Sequence, residues 1–278
     1  MKYQKSMLKI YELLLLNSKP IIINDIIQRA GVGRTTGFKA INWLNKNGFI
    51  EIKNVGKQKE IMLRRDRYTL QLKNFIDSLK FKELDNELKY TINLFVENIK
   101  NKEIKSILLF GSTLSNKNPK DIDLLIIYDK LNREDILKIR DKTELTTNFI
   151  INLHFEDKPA IERLLNSICV FGFDNYIEFI IQRNKIIEQF LESVNWFVSA
   201  YNNVKDKDLF KNCIDNVVVN LGFAYSLINE IELKRKEEAK SLIFNKYRKL
   251  NKLEAFDNYN KLELIKGVIV DIGKEAFK

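Results

Sequence analysis

The sequence predicts a multidomain α+β protein in which a small strand-containing centre is flanked by helical segments. Residues 107–127 contain two apolar runs around Gly111-Ser112, each of the length typical of a buried strand. Residues 1–68 hold 14 Lys and Arg against 5 Asp and Glu, which is +9 of the chain's net charge of +10. From residue 175 onward there is no proline, and apolar residues recur at helical spacing. We therefore expect three domains, at 1–68, 69–174 and 175–278.

The N-terminal segment predicts three helices followed by a β-hairpin. Apolar residues share one helical face over 4–16, and a short helix over 25–30 is expected with Asn24 as its cap. A third helix, over 34–47, is closed by Gly48, and its Ile41 and Leu44 are expected in the core. Residues 49–53 and 58–63 then alternate as two strands of a hairpin.

This order of elements resembles a winged helix-turn-helix, similar to small prokaryotic transcription regulators. The resemblance implies that the third helix enters the major groove of double-stranded DNA. The exposed candidates on that helix are Arg34, Thr35, Phe38, Lys39 and Asn42. Lys57 and Lys59 on the wing would meet phosphates. The alternative is a winged helix used for dimerisation or as a spacer, with solvated lysines.

The segment 68–103 predicts one or two helices with a break near 80–83. Its first part carries an apolar stripe at helical spacing, made of Leu72, Phe75, Ile76 and Leu79.

The central motif combines a phosphate-binding turn with paired carboxylates. Asp121 and Asp123 stand at positions i and i+2 of a strand, so both point to one face. Two adjacent carboxylates repel each other unless a cation or a basic partner lies between them, and oxygen ligands suggest Mg²⁺. Gly111 permits positive φ, and the following N–H groups with the Ser112 hydroxyl can hold a phosphate. This combination favours phosphoryl or nucleotidyl transfer.

The residues Phe110-Gly111-Ser112 and Asp121-Ile122-Asp123-Leu124 resemble the signature of the DNA polymerase β-type nucleotidyltransferase superfamily, most of all its minimal prokaryotic branch. The resemblance implies an α/β domain with a small mixed sheet. It also implies that Gly111 and Ser112 bind the nucleotide phosphates and that Asp121 and Asp123 bind Mg²⁺ or Mn²⁺. The loop 113–120 is short for this family and lacks its Arg-x-Gly element.

Members of the superfamily usually carry a third acidic residue on a later strand. Residues 148–155 are the matching strand in this sequence. Alternation there places Asn148, Ile150, Asn152 and His154 on one face. The expected third position is Asn152, an amide that can bind a metal but cannot accept a proton. His154, the single histidine of the chain, faces the same way and is the candidate base; a solvent-bonded strand-end histidine is the alternative. We also predict a helix over 132–143 capped by Asn132, a helix starting at Pro159 and an edge strand over 168–172.

The C-terminal segment predicts an antiparallel helical bundle of about four helices. In layout it resembles the HEPN-type and kanamycin-nucleotidyltransferase-type helical domains, which hold the acceptor or pair two protomers. The winged helix and this bundle are therefore the expected contact surfaces of a homodimer.

Two cysteines without metal or disulfide spacing, and no apolar run of membrane length, favour a cytoplasmic protein that does not enter the membrane. Two functions fit the sequence. One is an enzyme that transfers NMP from NTP to a hydroxyl group, with ATP as the expected donor. The acceptor hydroxyl would belong to a protein, to RNA or another nucleic acid, or to a small molecule. The other is a DNA-binding transcriptional regulator with a catalytically impaired, NTP-sensing nucleotidyltransferase domain.

Overall fold

The computed structural model describes residues 2–17, 19–100, 102–114, 116 and 119–277. They form a mixed α+β structure with two small sheets. The chain divides into two compact units, Met1–Ile181 and Gln182–Lys278. Among the described helices, none has the length and apolar character needed to cross a bilayer.

The first unit opens with three helices and a three-stranded antiparallel sheet of order β1-β3-β2. These elements are α1 (Lys2–Leu15), β1 (Ile21–Ile22), α2 (Ile23–Arg29), α3 (Arg34–Lys46), β2 (Ile50–Val55) and β3 (Gln58–Leu63). The hairpin prediction is confirmed, with Val55 paired to Gln58 across a tight turn. Ile41 and Leu44 are buried, as expected.

The predicted Asn24 cap is wrong. Helix α2 begins at Ile23, one residue before Asn24, and the N-cap position is Ile22, which has an extended backbone and no capping side-chain hydrogen bond. The reason is that Ile22 pairs with Glu60 in the sheet, so the chain passes directly from strand into helix.

Two helices lead to the second sheet, α4 (Arg67–Glu83) and α5 (Asn86–Ile99), each capped by an aspartate side chain. The break falls at 84–85, just after the predicted position. The predicted stripe on α4 is wrong in part, because Phe75 and Leu79 are exposed. The buried face of α4 instead includes Lys73 and Asp77.

The second sheet is mixed, with strand order β6-β5-β4-β7. Its segment consists of β4 (Ile104–Phe110), β5 (Asp121–Tyr128), α6 (Arg133–Thr147), β6 (Ile150–Glu156), α7 (Ile161–Asn166) and β7 (Ile168–Phe171). Strands β5 and β6 are parallel and the other pairs are antiparallel. The predicted edge strand is confirmed as β7, and Asn132 caps α6 as expected.

Two boundaries differ from the sequence prediction. Asn148 is not part of a strand: it ends α6 in the left-handed conformation, with φ of 59°, so β6 starts only at Ile150. Helix α7 starts at Ile161 rather than at Pro159, after an extended Ala160.

Both faces of this sheet are covered. Leu109, Leu124 and Ile126 pack in one core with α5 and α6. On the opposite face, Leu108 and Leu125 belong to the same core as the buried residues of α1, α2 and α3. The N-terminal helices and the mixed sheet therefore share one hydrophobic core within the first unit.

The second unit is helical, as the sequence predicts. Its helices are the C-terminal part of α8 (Phe173–Asn202), α9 (Lys207–Ile228), α10 (Lys236–Lys246) and α11 (Asn258–Ala276), with a 3₁₀ segment at Arg248–Ala255. Their core includes Phe190, Val217, Leu221 and Ile265.

Candidate active site

The site is built where β4 ends and β5 begins. Phe110, the last residue of β4, pairs with Asp123 of β5, and a 3₁₀ turn, Gly111–Leu114, follows Phe110 directly. Asp121 is the first residue of β5. Both carboxylates lie on the same face of the sheet, as strand alternation predicts. Of the predicted loop 113–120, residues 115, 117 and 118 lie outside the described residues.

Gly111 is held in a conformation that suits glycine and lies against Asp123. Its φ is +70°, and an added Cβ would lie 3.1 Å from Cγ and 3.3 Å from Cβ of Asp123, and closer still to Oδ2. The lack of a side chain at Gly111 therefore lets the turn approach the carboxylate closely.

Thr113 fastens the turn to β5, a role that the sequence reasoning missed. Its side chain is buried, and Oγ1 donates to the Asp121 carbonyl at 3.3 Å and accepts from the Asp123 N–H at 3.2 Å. Ser112 Oγ donates to Asp121 Oδ1 at 3.5 Å, the long limit of a hydrogen bond. The sequence does carry a signal for this role, because a hydroxyl side chain in a turn next to a strand often forms hydrogen bonds with backbone groups.

Asn152 joins the two aspartates from the neighbouring strand. It lies opposite Asp123 in the parallel β5–β6 pair. Its Nδ2 donates to Asp121 Oδ2 at 2.9 Å and to Asp123 Oδ1 at 3.2 Å. The amide thus offsets part of the repulsion between the two carboxylates, and one oxygen of each faces the Asn152 Nδ2 atom.

The positions of these two carboxylates show whether the residues fit a divalent ion. Among the described residues, no group of three or more His, Cys, Asp or Glu side chains forms a metal site. Two adjacent carboxylates nevertheless suit a hard cation, with water and substrate oxygens filling the other positions. A half-turn of the Asn152 amide would exchange its NH₂ for Oδ1, which could join them. The donor set therefore fits Mg²⁺ with two carboxylates and one amide.

His154 is placed differently from Asn152. It lies opposite Leu125, two residues further along β6, or roughly 6–7 Å from Asn152 by strand rise. Its ring is exposed and packs edge-on against Phe110, with 5.0 Å between centroids. The structure brings Asn152 to the aspartates and His154 to Phe110.

Arg163 is a second residue near the site that the sequence did not single out. Its guanidinium lies 5.5 Å from the centre of the Phe110 ring and forms an ion pair with Glu156. Arg163 contacts Phe110 from α7. The two residues are far apart in the chain, so no local sequence pattern predicts this contact.

The predicted DNA-binding residues lie on α3 and the hairpin. Arg34, Thr35, Lys39 and Asn42 are exposed on α3, as are Lys57 and Lys59 in and beside the hairpin turn. Phe38 differs from the expectation of full exposure. It is half-buried against the core, with the Arg34 guanidinium 5.8 Å from its ring centre.

A buried ion pair on α4 contacts the segment that contains β7. Lys73 Nζ donates to Asp77 Oδ1 at 2.6 Å and to the Ser167 carbonyl at 2.7 Å, and Asp77 Oδ2 accepts from the Cys169 N–H at 3.1 Å. Burial lowers the pKa of Lys73 and raises the pKa of Asp77, while the opposite charge of each partner counteracts both shifts. Helix α4 is thereby fixed to β7.

A cavity of about 640 Å³ adjoins this pair and the site turn. Its walls include Glu12 and Leu15 of α1, Lys73 and Lys80 of α4, and Leu114 at the end of the turn. Glu12 and Lys80 form an ion pair. A ligand in this cavity would contact α1 and the turn together.

Comparison with known proteins finds a family match in the central segment. Residues 92–174 match the family model described as "Polymerase beta, Nucleotidyltransferase". The match runs from α5 to the start of α8, includes all four strands of the mixed sheet and supports a nucleotidyltransferase domain there. Searches of curated proteins and of solved structures found no match for the chain.

Proposed function

We propose that this protein is a nucleotidyltransferase that uses Mg²⁺ or Mn²⁺ to transfer NMP from NTP to an acceptor hydroxyl. ATP is the proposed donor, and the acceptor is a hydroxyl on a protein, a nucleic acid or a small molecule. The observation that carries the proposal is that Asp121 Oδ2 and Asp123 Oδ1 lie close enough to share one donor, Asn152 Nδ2, beside a glycine turn and inside the matched segment.

Each residue of the site has a distinct task in this proposal. The N–H groups after Gly111 and the Ser112 hydroxyl bind phosphate oxygens, since the open backbone at glycine lets a phosphate approach. Asp121 and Asp123 would hold the metal ion, and Asn152 would contribute Oδ1 after its amide turns. When bound, the ion would stabilise negative charge on the phosphate being transferred. Thr113 positions both aspartates by fixing the start of β5.

We further propose that residues 1–68 are a winged helix-turn-helix that binds double-stranded DNA. The order of three helices and a hairpin supports this, as does the net charge of +9. Arg34, Thr35, Lys39 and Asn42 would face the major groove, and Lys57 and Lys59 would meet phosphates. The hydrophobic core shared with the mixed sheet gives DNA binding a physical route to the nucleotidyltransferase domain.

One observation favours a second function, that of an NTP-sensing transcriptional regulator without turnover. The side chain beside the two aspartates is the amide of Asn152, which cannot accept a proton from an attacking hydroxyl. In this alternative NTP binds at the turn and changes the affinity of α3 for DNA.

Incubation with each α-labelled NTP and Mg²⁺, with cell extract as the acceptor source, tests the enzyme. Transfer of label to an acceptor supports it. Absence of transfer with every NTP, combined with an NTP-dependent change in duplex affinity, supports the regulator and rules out the enzyme.

DNA binding is tested separately on the full chain by titrating labelled duplex at several salt concentrations. Affinity should fall steeply as salt rises, because phosphate contacts release counterions. Arg34→Ala should cost about 1–3 kcal/mol of specific binding if Arg34 contacts a base, whereas Arg140→Ala on α6 should cost nothing. No binding at low salt would refute this part of the proposal.

A further inference from the structure

Three aromatic rings form a continuous stack on the N-terminal part of the first unit. The rings of Trp43 and Phe49 lie 5.6 Å apart between centroids at an interplanar angle of 13°, and those of Phe49 and Tyr68 lie 5.2 Å apart at 19°. We call Trp43, Phe49 and Tyr68 the ring stack. Its members come from α3, from the residue before β2 and from the first turn of α4.

The stack is buried at its middle ring and exposed at Tyr68. Phe49 is 7% exposed and Trp43 is half-buried, but Tyr68 is 59% exposed. Tyr68 therefore covers Phe49 with one face of its ring and leaves much of its own surface to solvent. An exposed ring on an ordered stack is a surface on which another flat ring can pack.

Two arginines lie close to the ring stack along the chain or through a backbone contact. The backbone N–H of Arg64 donates to the Phe49 carbonyl at 2.9 Å, which holds Arg64 beside Phe49, and the Arg64 guanidinium lies next to Gly48. Arg67 precedes Tyr68 directly. The two side chains form exposed ion pairs, Arg64 with Glu51 at 3.4 Å and Arg67 with Asp174 at 3.2 Å. Such exposed pairs are weak, so phosphate oxygens can compete for both arginines.

We propose that Tyr68 is a stacking platform for an unpaired base of single-stranded nucleic acid, with Arg64 and Arg67 binding the phosphates next to that base. Aromatic stacking combined with a basic border is the general chemistry of single-strand binding, and the +9 charge of residues 1–68 suits a polyanion. This site contains none of the α3 residues proposed for duplex DNA and does not depend on nucleotidyl transfer.

The position of Tyr68 gives the platform a link to the nucleotidyltransferase domain. Tyr68 lies in the first turn of α4, the helix that is fixed to Ser167 and Cys169 through Lys73 and Asp77. A base bound at Tyr68 therefore contacts a helix that is hydrogen bonded to the edge strand of the mixed sheet.

Fluorescence anisotropy of the full chain with a labelled oligo-dT of about 12 nucleotides tests the platform. Tyr68→Leu keeps an apolar cover on Phe49 but has no aromatic face, so affinity should fall on the order of tenfold. Tyr68→Phe keeps the ring and should bind within about twofold of wild type. Tyr259→Leu removes an equally exposed tyrosine from the second unit and should have no effect. Thermal melting confirms that each variant is folded.

Salt dependence separates stacking from charge. The ratio of wild-type to Tyr68→Leu affinity should stay constant as salt rises, because stacking releases no counterions. Arg64→Ala and Arg67→Ala should instead reduce the salt slope.

Three results would overturn the proposal: a folded Tyr68→Leu protein that binds oligo-dT like wild type, an equal loss of affinity for blunt duplex, or a change in oligomeric state that explains the loss. If wild type binds duplex but not oligo-dT at low salt, only the platform is refuted. If it binds neither, the proposed DNA-binding function fails as well.

Discussion

Replacing Gly111 with alanine tests the geometry of the candidate site most sharply, because the structure separates two effects of the same change. The first is backbone strain at a φ of +70°, which costs a residue with a side chain roughly 1–2 kcal/mol. The second is collision with Asp123. The new Cβ would lie 3.1 Å from Asp123 Cγ, whereas carbon atoms prefer about 3.5–4.0 Å, so the carboxylate must move by roughly 0.5–1 Å.

Gly31→Ala is the matched control. Gly31 has a similar φ of +61°, but an added Cβ there would meet no atom within 4 Å. The control should therefore lose the same 1–2 kcal/mol of stability from backbone strain, while the Gly111 variant loses about 1–3 kcal/mol more from overpacking.

The assays are denaturant unfolding, the rise in Tm caused by NTP with Mg²⁺, and transfer from labelled NTP. Displacing a catalytic group by about 1 Å can cost on the order of 100-fold in rate, so Gly111→Ala should lose transfer and most of the NTP-induced rise in Tm. Gly31→Ala should keep both. A folded Gly111→Ala protein with the wild-type rise in Tm and wild-type transfer would refute the placement of the site.

Three further changes address the surroundings of the site and the second unit. Asn152→Asp replaces the donor shared by the two aspartates with a third carboxylate. In EDTA the variant should therefore have a lower Tm than wild type, and Mg²⁺ should raise its Tm by more than it raises that of wild type. A wild-type response of Tm to Mg²⁺ would contradict the proposed metal site. Lys73→Met leaves the buried Asp77 carboxylate without its partner and should lower the free energy of unfolding by about 3–5 kcal/mol in chemical denaturation. Adding Asp77→Leu should restore most of that stability. If the single and the double variant lose the same stability, the pairing is disproved. Burial raises the pKa of Tyr247 to about 12, so the folded state keeps a proton that the unfolded state releases above about pH 10. This stabilising effect is complete below pH 10 and is lost as the pH rises through 12, and melting curves of Tyr247→Phe should lack that part of the decline.

The parts of the site that follow from local pattern could be predicted. Alternation along β5 placed Asp121 and Asp123 on one face, and the Gly-Ser turn indicated a positive φ at Gly111. The family resemblance implies a third metal-binding position on β6, and together with alternation it predicts Asn152 beside the aspartates. The structure adds the hydrogen bonds that Asn152 makes to both carboxylates.

The contacts made across long stretches of the chain could not be predicted. Lys73 and Asp77 stand four residues apart on a helix, a spacing typical of solvated pairs, and only the packing of α4 against β7 reveals that both are buried. The same packing explains why Phe75 and Leu79 are exposed although both are apolar. Arg163 reaches Phe110 from α7, and the sequence carries no signal for such a contact.

The central proposal, transfer of a nucleotide through the aspartate pair, is tested most directly by Asp123→Asn. The change keeps the shape of the side chain and removes its charge, while Asp141→Asn on α6 is the matched control. With each α-labelled NTP, Mg²⁺ and acceptor extract, Asp123→Asn should lower transfer on the order of 100-fold to 1000-fold, and the control should not. Duplex DNA affinity should stay the same in both variants. Transfer by Asp123→Asn at the wild-type rate, or wild-type protein that is as inert as the variant while NTP still changes its affinity for DNA, would contradict the enzyme.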